Sequence, residues 1–183
     1  MSGAAARAAE IAKYSVAYSH AEYRMGQARH EAALRDLKGL TGSLLDVGCG
    51  RGEVLAAARE FGLSPVLGTE VVPALLGTDT VYAEVHALPF AAGTFDHVTC
   101  FDVLEHLTPE DTVPALHELE RVGLRTLTLT VANYPHVFRG VDLHVNRRNY
   151  PEWTALFGEV FGVRARCLGM AGASQSWRVD LDR

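Results

Sequence analysis

No run of apolar residues in the 183-residue chain approaches the ~20 that a membrane helix needs. The first residues, Met1-Ser2-Gly3-Ala4-Ala5-Ala6-Arg7, lack the apolar core of a secretion signal, so the expected location is the cytoplasm. Cysteine is scarce. Cys49, Cys100 and Cys167 stand too far apart for any pair to have metal-ligand spacing, and an odd count suits a reducing compartment, so all three read as buried thiols. The chain also lacks internal repeats, linkers and low-complexity stretches. With 48% apolar and 21% charged residues it falls outside the disordered and collagen-like classes. At about 150 residues per domain, one domain over 1–183 is expected.

An excess of positive charge is missing too, since the formal net charge is -5. The distribution is uneven. Residues 1–40 hold six Lys/Arg and four Asp/Glu, residues 41–120 two and thirteen, and residues 121–183 nine and five. Scattered basic residues around an acidic middle do not make a nucleic-acid-binding stripe, whereas an acidic middle suits a cationic ligand.

Ile11, Tyr14, Tyr18, Ala21, Met25, Ala28 and Ala32 recur at gaps of three and four, which predicts an amphipathic helix or helix pair ahead of a break at Gly39 to Gly42. Apolar runs then alternate with helical patterns. The runs are 44–47, 65–70, 81–85, 97–101 and 126–131. Helices are expected over 53–61, near 73–76, from Asp102 or Val103, over 108–122 and over 150–161. Short strands spaced by helices predict an α/β fold, a parallel sheet with helices on both faces. Two late runs, 163–170 and 177–181, have only a short Gly/Ala/Ser loop between them, so the sheet should end in an antiparallel hairpin.

The most informative stretch is Leu44-Leu45-Asp46-Val47-Gly48-Cys49-Gly50-Arg51-Gly52-Glu53, a strand passing through glycines into a helix. Its spacing is G-x-G-x-G, and Glu53 fills the slot of the third glycine in the dinucleotide pattern, where a carboxylate would repel a pyrophosphate. No Gly-Lys-Ser/Thr follows, so a P-loop is excluded. What remains is a loop that comes close to an uncharged or cationic ligand, with Asp46 able to meet an ammonium. Glu70 ends the second strand, where a carboxylate can accept from both ribose hydroxyls. Glu84 ends the third strand and Asp102 follows the fourth, so four strands bring an acid to one sheet edge.

These residues, with Ala87-Leu88-Pro89-Phe90-Ala91-Ala92-Gly93-Thr94-Phe95-Asp96 and Phe101-Asp102-Val103-Leu104-Glu105-His106-Leu107, resemble the successive motifs of small, single-domain class I S-adenosylmethionine-dependent methyltransferases. The likeness runs over 44–107 and, more weakly, 126–131. It implies a Rossmann-like seven-stranded sheet, mostly parallel with an antiparallel C-terminal strand, and a helical lid over 1–40 on a catalytic core over 41–183. It further implies S-adenosylmethionine as cofactor and S-adenosylhomocysteine as product. In this reading Asp46 and the loop at Gly48, Gly50 and Gly52 meet the methionine part, and Glu70 holds the ribose. Glu84 and the backbone of Val85 hold adenine, and Phe101 and Asp102 lie near the sulfonium. Glu84 departs from the family, which usually has Asp there. Tyr14, Tyr18 and Tyr23 have a parallel in the N-terminal helices that cap the cofactor, although Tyr14 and Tyr18 also fit a core stripe.

Methyl transfer from a sulfonium needs alignment of a nucleophile more than anything else, and a base only where the acceptor is protonated at neutral pH. Candidate groups past the cofactor motifs are Tyr134, His136, Asp142, His144 and Asn146 in the segment 133–149, and Glu105 and His106 at the same sheet edge. His144 and His106 are the candidate catalytic residues. Asp102, Glu105 and His106 cannot converge on a metal from adjacent helical positions without a further partner, so no metal site is expected. The chain lacks the Asp/Asn-Pro-Pro-Tyr/Phe signature of amino-directed nucleic-acid methyltransferases, and Arg139, Arg147 and Arg148 can serve an anionic group on a small substrate. The expected activity is methyl transfer to oxygen or nitrogen of a small-molecule acceptor. The alternatives are an RNA or protein methyltransferase, and a cofactor-binding module without turnover.

Overall fold

A computed structural model describes residues 3–23, 34–171 and 173–181. Nine strands and four α-helices are defined among these residues. They run α1 (Gly3–Tyr18), β1 (Leu44–Val47), α2 (Glu53–Glu60), β2 (Val66–Glu70), β3 (Thr80–Tyr82), β4 (Phe95–Phe101), α3 (Pro109–Val122), β5 (Gly123–Val131), β6 (Val137–Phe138), β7 (Val141–Asp142), α4 (Tyr150–Phe161), β8 (Ala165–Ala171) and β9 (Ser174–Asp180). Three 3₁₀ turns lie at Pro73–Leu75, Leu104–His106 and Gly162–Arg164. The expected positions Met25, Ala28 and Ala32 of the first helical pattern lie outside the described residues.

Seven strands form one sheet in the order β3-β2-β1-β4-β5-β9-β8, with β6 and β7 a separate ribbon. Pairings among β3, β2, β1, β4 and β5 are parallel, and β9 runs antiparallel to both β5 and β8. The fold is thus the Rossmann-like α/β sheet that the sequence predicts, and the late hairpin is β8–β9. Its last strand does not sit at the rim, however, but between β5 and β8. The central strands are buried on both faces: all four residues of β1 are buried, and the inner residues Val98, Cys100, Leu127 and Leu129 are fully so. One core cluster packs β4, β5 and β9 against α3 and α4, with Trp153, Phe157, Phe161 and Trp177 at its centre. A second packs α2 against β1 through Leu44, Val54, Leu55 and Ala58. Burial of such side chains contributes ~25 cal/mol per Å² of apolar surface, the main term holding the sheet flat against its helices.

Four local expectations change. The third strand pairs with β2 only from Thr80 to Tyr82, opposite Gly68 to Glu70, so Glu84 stands two residues beyond it. The chain after β4 forms a 3₁₀ turn rather than a helix, because Asp102 adopts φ +54, which does not continue into αR. The segment 133–149 holds the ribbon β6–β7 and is not a plain loop. Cys167 is exposed, whereas Cys49 and Cys100 are buried as expected. The difference is positional: Cys167 lies on β8, the rim strand, whose residues 167 to 170 are all exposed.

Candidate functional site

The glycine loop opens a cleft at the carboxyl ends of β1, β2 and β4. Gly48 and Gly50 both have positive φ, +74 and +54, and both line the cleft. A Cβ on Gly48 would stand 2.4 Å from the Val103 side chain, and one on Gly50 2.7 Å from the Tyr18 hydroxyl. The loop is glycine because neither the backbone torsions nor the space tolerate a side chain. Gly48 and Cys49 donate their N–H groups to Thr69 O, at 2.9 and 3.0 Å, which anchors the loop on β2. Gly52, with φ +82, is the N-cap of α2 and is not among the residues lining the cleft.

Glu70 is 5% exposed and lines the cleft at the end of β2. Its Oε2 accepts from Gly50 N at 2.9 Å, and its Oε1 from Val71 N at 2.7 Å and Val72 N at 3.1 Å. Three backbone donors hold one carboxylate in place and tie the glycine loop to β2. Asp46 lies beneath the loop and does not line the cleft. It is 2% exposed and accepts from Thr99 Oγ1 at 2.6 Å. Burial pushes its carboxyl up to about 7, the nearby carboxylates of Glu70 and Glu53 add to the shift, and the Thr99 hydrogen bond opposes it. The Cys49 thiol is pushed up to about 12, chiefly by burial, and is no nucleophile. Farther along the cleft, Glu84 lies 3.7 Å from Arg7 Nε and 3.7 Å from His86 Nε2, with Val85 beside it on the cleft wall.

Helix α1 crosses the mouth. Arg7 donates to Asp111 at 2.7 Å, fastening the first turns of α1 to the first turn of α3. Ala17 is the sole buried residue of this helix among those described, while Arg7, Glu10, Ile11, Tyr14 and Tyr18 face the cleft. The aromatic stripe therefore walls the cleft instead of filling a core. Sequence reading began that stripe at Ile11 and missed Arg7 and Glu10, although Arg7 stands four residues before Ile11, one turn earlier on the same face. Burial holds the Tyr14 and Tyr18 hydroxyls well above their ordinary values, so both remain protonated.

The far end of the cleft is walled by Phe101, Asp102, His106, His136 and His144. Phe101 is 4% and Asp102 8% exposed. Asp102 is one of two non-glycine residues with positive φ among those described, a strained conformation of a kind concentrated in functional sites. Tyr14 donates to Leu143 O at 2.9 Å, and its hydroxyl also meets His106 Nδ1, which lies 3.0 Å from Leu143 O. His144 Nδ1 donates to Tyr134 O at 2.7 Å. The rings of His144 and His106 are 4.7 Å apart, and those of His144 and His136 5.2 Å. The further partner for Glu105 and His106 is His144: one ring nitrogen of each histidine and a Glu105 carboxylate oxygen lie within 4.8 Å of one another.

The remaining candidates support this end. Asn146 is buried and donates to Leu104 O at 3.0 Å and Thr112 Oγ1 at 2.8 Å, while its backbone N–H reaches Glu105 O at 3.0 Å. Asp142 caps the backbone N–H of His144 at 3.1 Å and pairs with Arg147 at 3.6 Å. Arg139 is on the surface with Glu22 at 2.6 Å, and Arg148 lies over the Trp153 ring. No described helix is long and apolar enough to cross a membrane.

Residues 45–125 match the family model described as methyltransferase domain. A comparison with curated protein sequences returned no significant match. Solved structures are similar at low identity. The Burkholderia thailandensis 1,6-didemethyltoxoflavin-N1-methyltransferase, with bound 1,6-didemethyltoxoflavin and S-adenosylhomocysteine, superposes with a TM-score of 0.76 at 16% identity, over 100% of this chain and 92% of that one. A SAM dependent methyltransferase from Aquifex aeolicus gives 0.61 at 16%, over 83% and 89%. A putative methyltransferase in complex with the Haloferax volcanii Trm112 methyltransferase activator gives 0.67 at 17%, over 85% and 90%. The sheet order, the glycine loop and the methyltransferase-domain match over residues 45–125 together give this chain the Rossmann-like fold of S-adenosylmethionine-dependent methyltransferases.

Proposed function

We propose that the protein transfers a methyl group from S-adenosylmethionine to an oxygen or nitrogen of a small-molecule acceptor. The observation that carries this reading is the junction of Gly50 and Glu70, where a close-approach glycine loop and a buried, backbone-fixed carboxylate meet on the floor of one cleft. The methionine part lies along Gly48 and Gly50, with Asp46 below the loop and Gly52 closing it. The ribose hydroxyls donate to Glu70. Adenine lies between Glu84 and the backbone of Val85, and Tyr14 and Tyr18 cover the cofactor from α1. The sulfonium then faces Phe101 and Asp102, at the end where His106 and His144 stand.

The acceptor's lone pair attacks in line with the S–CH3 bond, and the protein contributes mainly by holding the two together in a space closed by α1. Such positioning is worth up to ~7–11 kcal/mol in the best intramolecular models. His106 and His144 stand at the end of the cleft that the acceptor would occupy, as the groups that assist a hydroxyl or ammonium acceptor.

Small acceptors are favoured over a nucleic acid because several basic residues of the C-terminal third are paired with carboxylates. Arg139 pairs with Glu22, Arg147 with Asp142, Arg164 with Glu120 and Arg166 with Asp180. The decisive experiment is calorimetric titration of S-adenosylhomocysteine into the wild type and Glu70→Ala, followed by a product-release screen over a metabolite panel. Binding by the wild type, weakened at least ~100-fold in the variant, supports the assignment, since charged hydrogen bonds contribute about 1.5–3 kcal/mol each. Equal affinity in both proteins overturns it.

A further inference from the structure

Glu105, His106 and His144 belong to two segments far apart in the chain, yet their ligating atoms lie within 4.8 Å of one another. Glu105 is 0% and His144 1% exposed. Both histidine rings have their Nδ1 engaged by main-chain carbonyls, Leu143 O at 3.0 Å for His106 and Tyr134 O at 2.7 Å for His144. Such main-chain partners hold the two rings in place, as they do for histidines that coordinate metals. The scaffold around them is equally fixed. Ala132 N donates to Glu105 Oε1 at 3.0 Å, and Asn146 ties the His144 segment to Leu104, Glu105 and Thr112 through three hydrogen bonds.

We propose that Glu105, His106 and His144 hold a divalent cation, and that this cation takes the oxygen of the methyl acceptor, so that the acceptor is an alcohol or a phenol. The second half rests on the methyl-transfer reading above; the cation site itself does not. Two neutral imidazoles and one carboxylate suit Mn²⁺, Co²⁺ or Zn²⁺ over Mg²⁺ or Ca²⁺, which prefer all-oxygen sets. Three protein ligands leave coordination positions open toward the cleft, which both histidines line.

The cation decides between oxygen and nitrogen. A coordinated hydroxyl releases its proton to solvent water at a lower pH than a free one and keeps a lone pair for attack. The new O–CH3 bond then forms as the S–CH3 bond breaks, and sulfur departs as a neutral thioether. An amine bound to the same cation would have donated the lone pair it needs.

The test uses tag-free, chelator-washed protein and Mn²⁺, which avoids the exposed Cys167 thiol, with the loss of the free-ion electron paramagnetic resonance signal as readout. The wild type should bind one Mn²⁺ per chain. Glu105→Gln and His144→Gln, checked for folding by circular dichroism, should each weaken binding at least ~10-fold. Free signal persisting across millimolar Mn²⁺, or binding indifferent to both substitutions, overturns the site. A parallel titration of metal-free protein with S-adenosylhomocysteine separates this failure from failure of the methyltransferase reading. A chelator-insensitive enzyme that methylates an amine overturns the acceptor assignment.

Discussion

At the scale of single residues, Gly50 and Asp46 divide the work of the loop. Gly50 needs both its φ of +54 and the empty space before the Tyr18 hydroxyl. Gly50→Ala adds strain of about 1–2 kcal/mol in the left-handed region and pushes the α1 tyrosine outward. Affinity for S-adenosylmethionine should fall at least ~10-fold by calorimetry with the melting temperature little changed. Asp46 is different because nothing about it faces solvent. Its folded pKa, about 7, is raised above the unfolded ~3.9, so the stability contribution is complete below pH 4 and is lost as pH rises through 7. Thermal melts from pH 5 to 8 should fall more steeply for the wild type than for Asp46→Asn, which keeps an acceptor for Thr99 without the charge. Glycines and strand-end acids were legible in sequence because their requirements are local. That Asp46 ends up below the loop and bonded to Thr99 was not, since Thr99 lies on a strand paired only in the folded sheet.

At the scale of elements, the helices were legible where end signals and burial agree. α4 runs from Tyr150 to Phe161 as expected, started by a capping box in which Asn149 accepts from Glu152 N at 2.9 Å and Glu152 accepts from Asn149 N at 2.6 Å. Removing that cap by Asn149→Ala should cost about 1 kcal/mol in a denaturant melt and leave cofactor affinity unchanged. The turn after β4 shows the opposite case. Asp102-Val103-Leu104-Glu105-His106 carries a helical spacing, but the Asp102 N–H bonds Thr130 O on β5, and the chain settles into a 3₁₀ turn. Tertiary pairing overrode propensity there. The same turn presents Glu105 and His106 to His144, a juxtaposition that spacing arguments along one helix could not supply. α1 was likewise legible as amphipathic, but not what its face covers, because a stripe of tyrosines reads the same against a core or a cleft.

At the scale of the whole molecule, the strand types and the final hairpin could be read from the chain, whereas the sheet order could not. β9 pairs over six residues with β5, from Thr126 opposite Asp180 to Val131 opposite Gln175, and over a similar length with β8. It carries Trp177 and Val179 into the main core. A chain cut after residue 173 should therefore show no cooperative melting transition by circular dichroism, rather than a modestly lowered one; a two-state melt near the wild-type temperature would contradict the central role of this strand.

The position of β9 also sets a timetable. Residues 174–180 leave the ribosome after every other strand of the sheet, yet they fill a gap that β5 and β8 border from opposite sides. Until then β5 presents an unpaired ladder of N–H and C=O groups, and the indole pocket under Trp177 stands open. The sheet therefore keeps an open edge at β5 until residues 174–180 have emerged, and its closure joins segments distant in sequence, a step of high contact order.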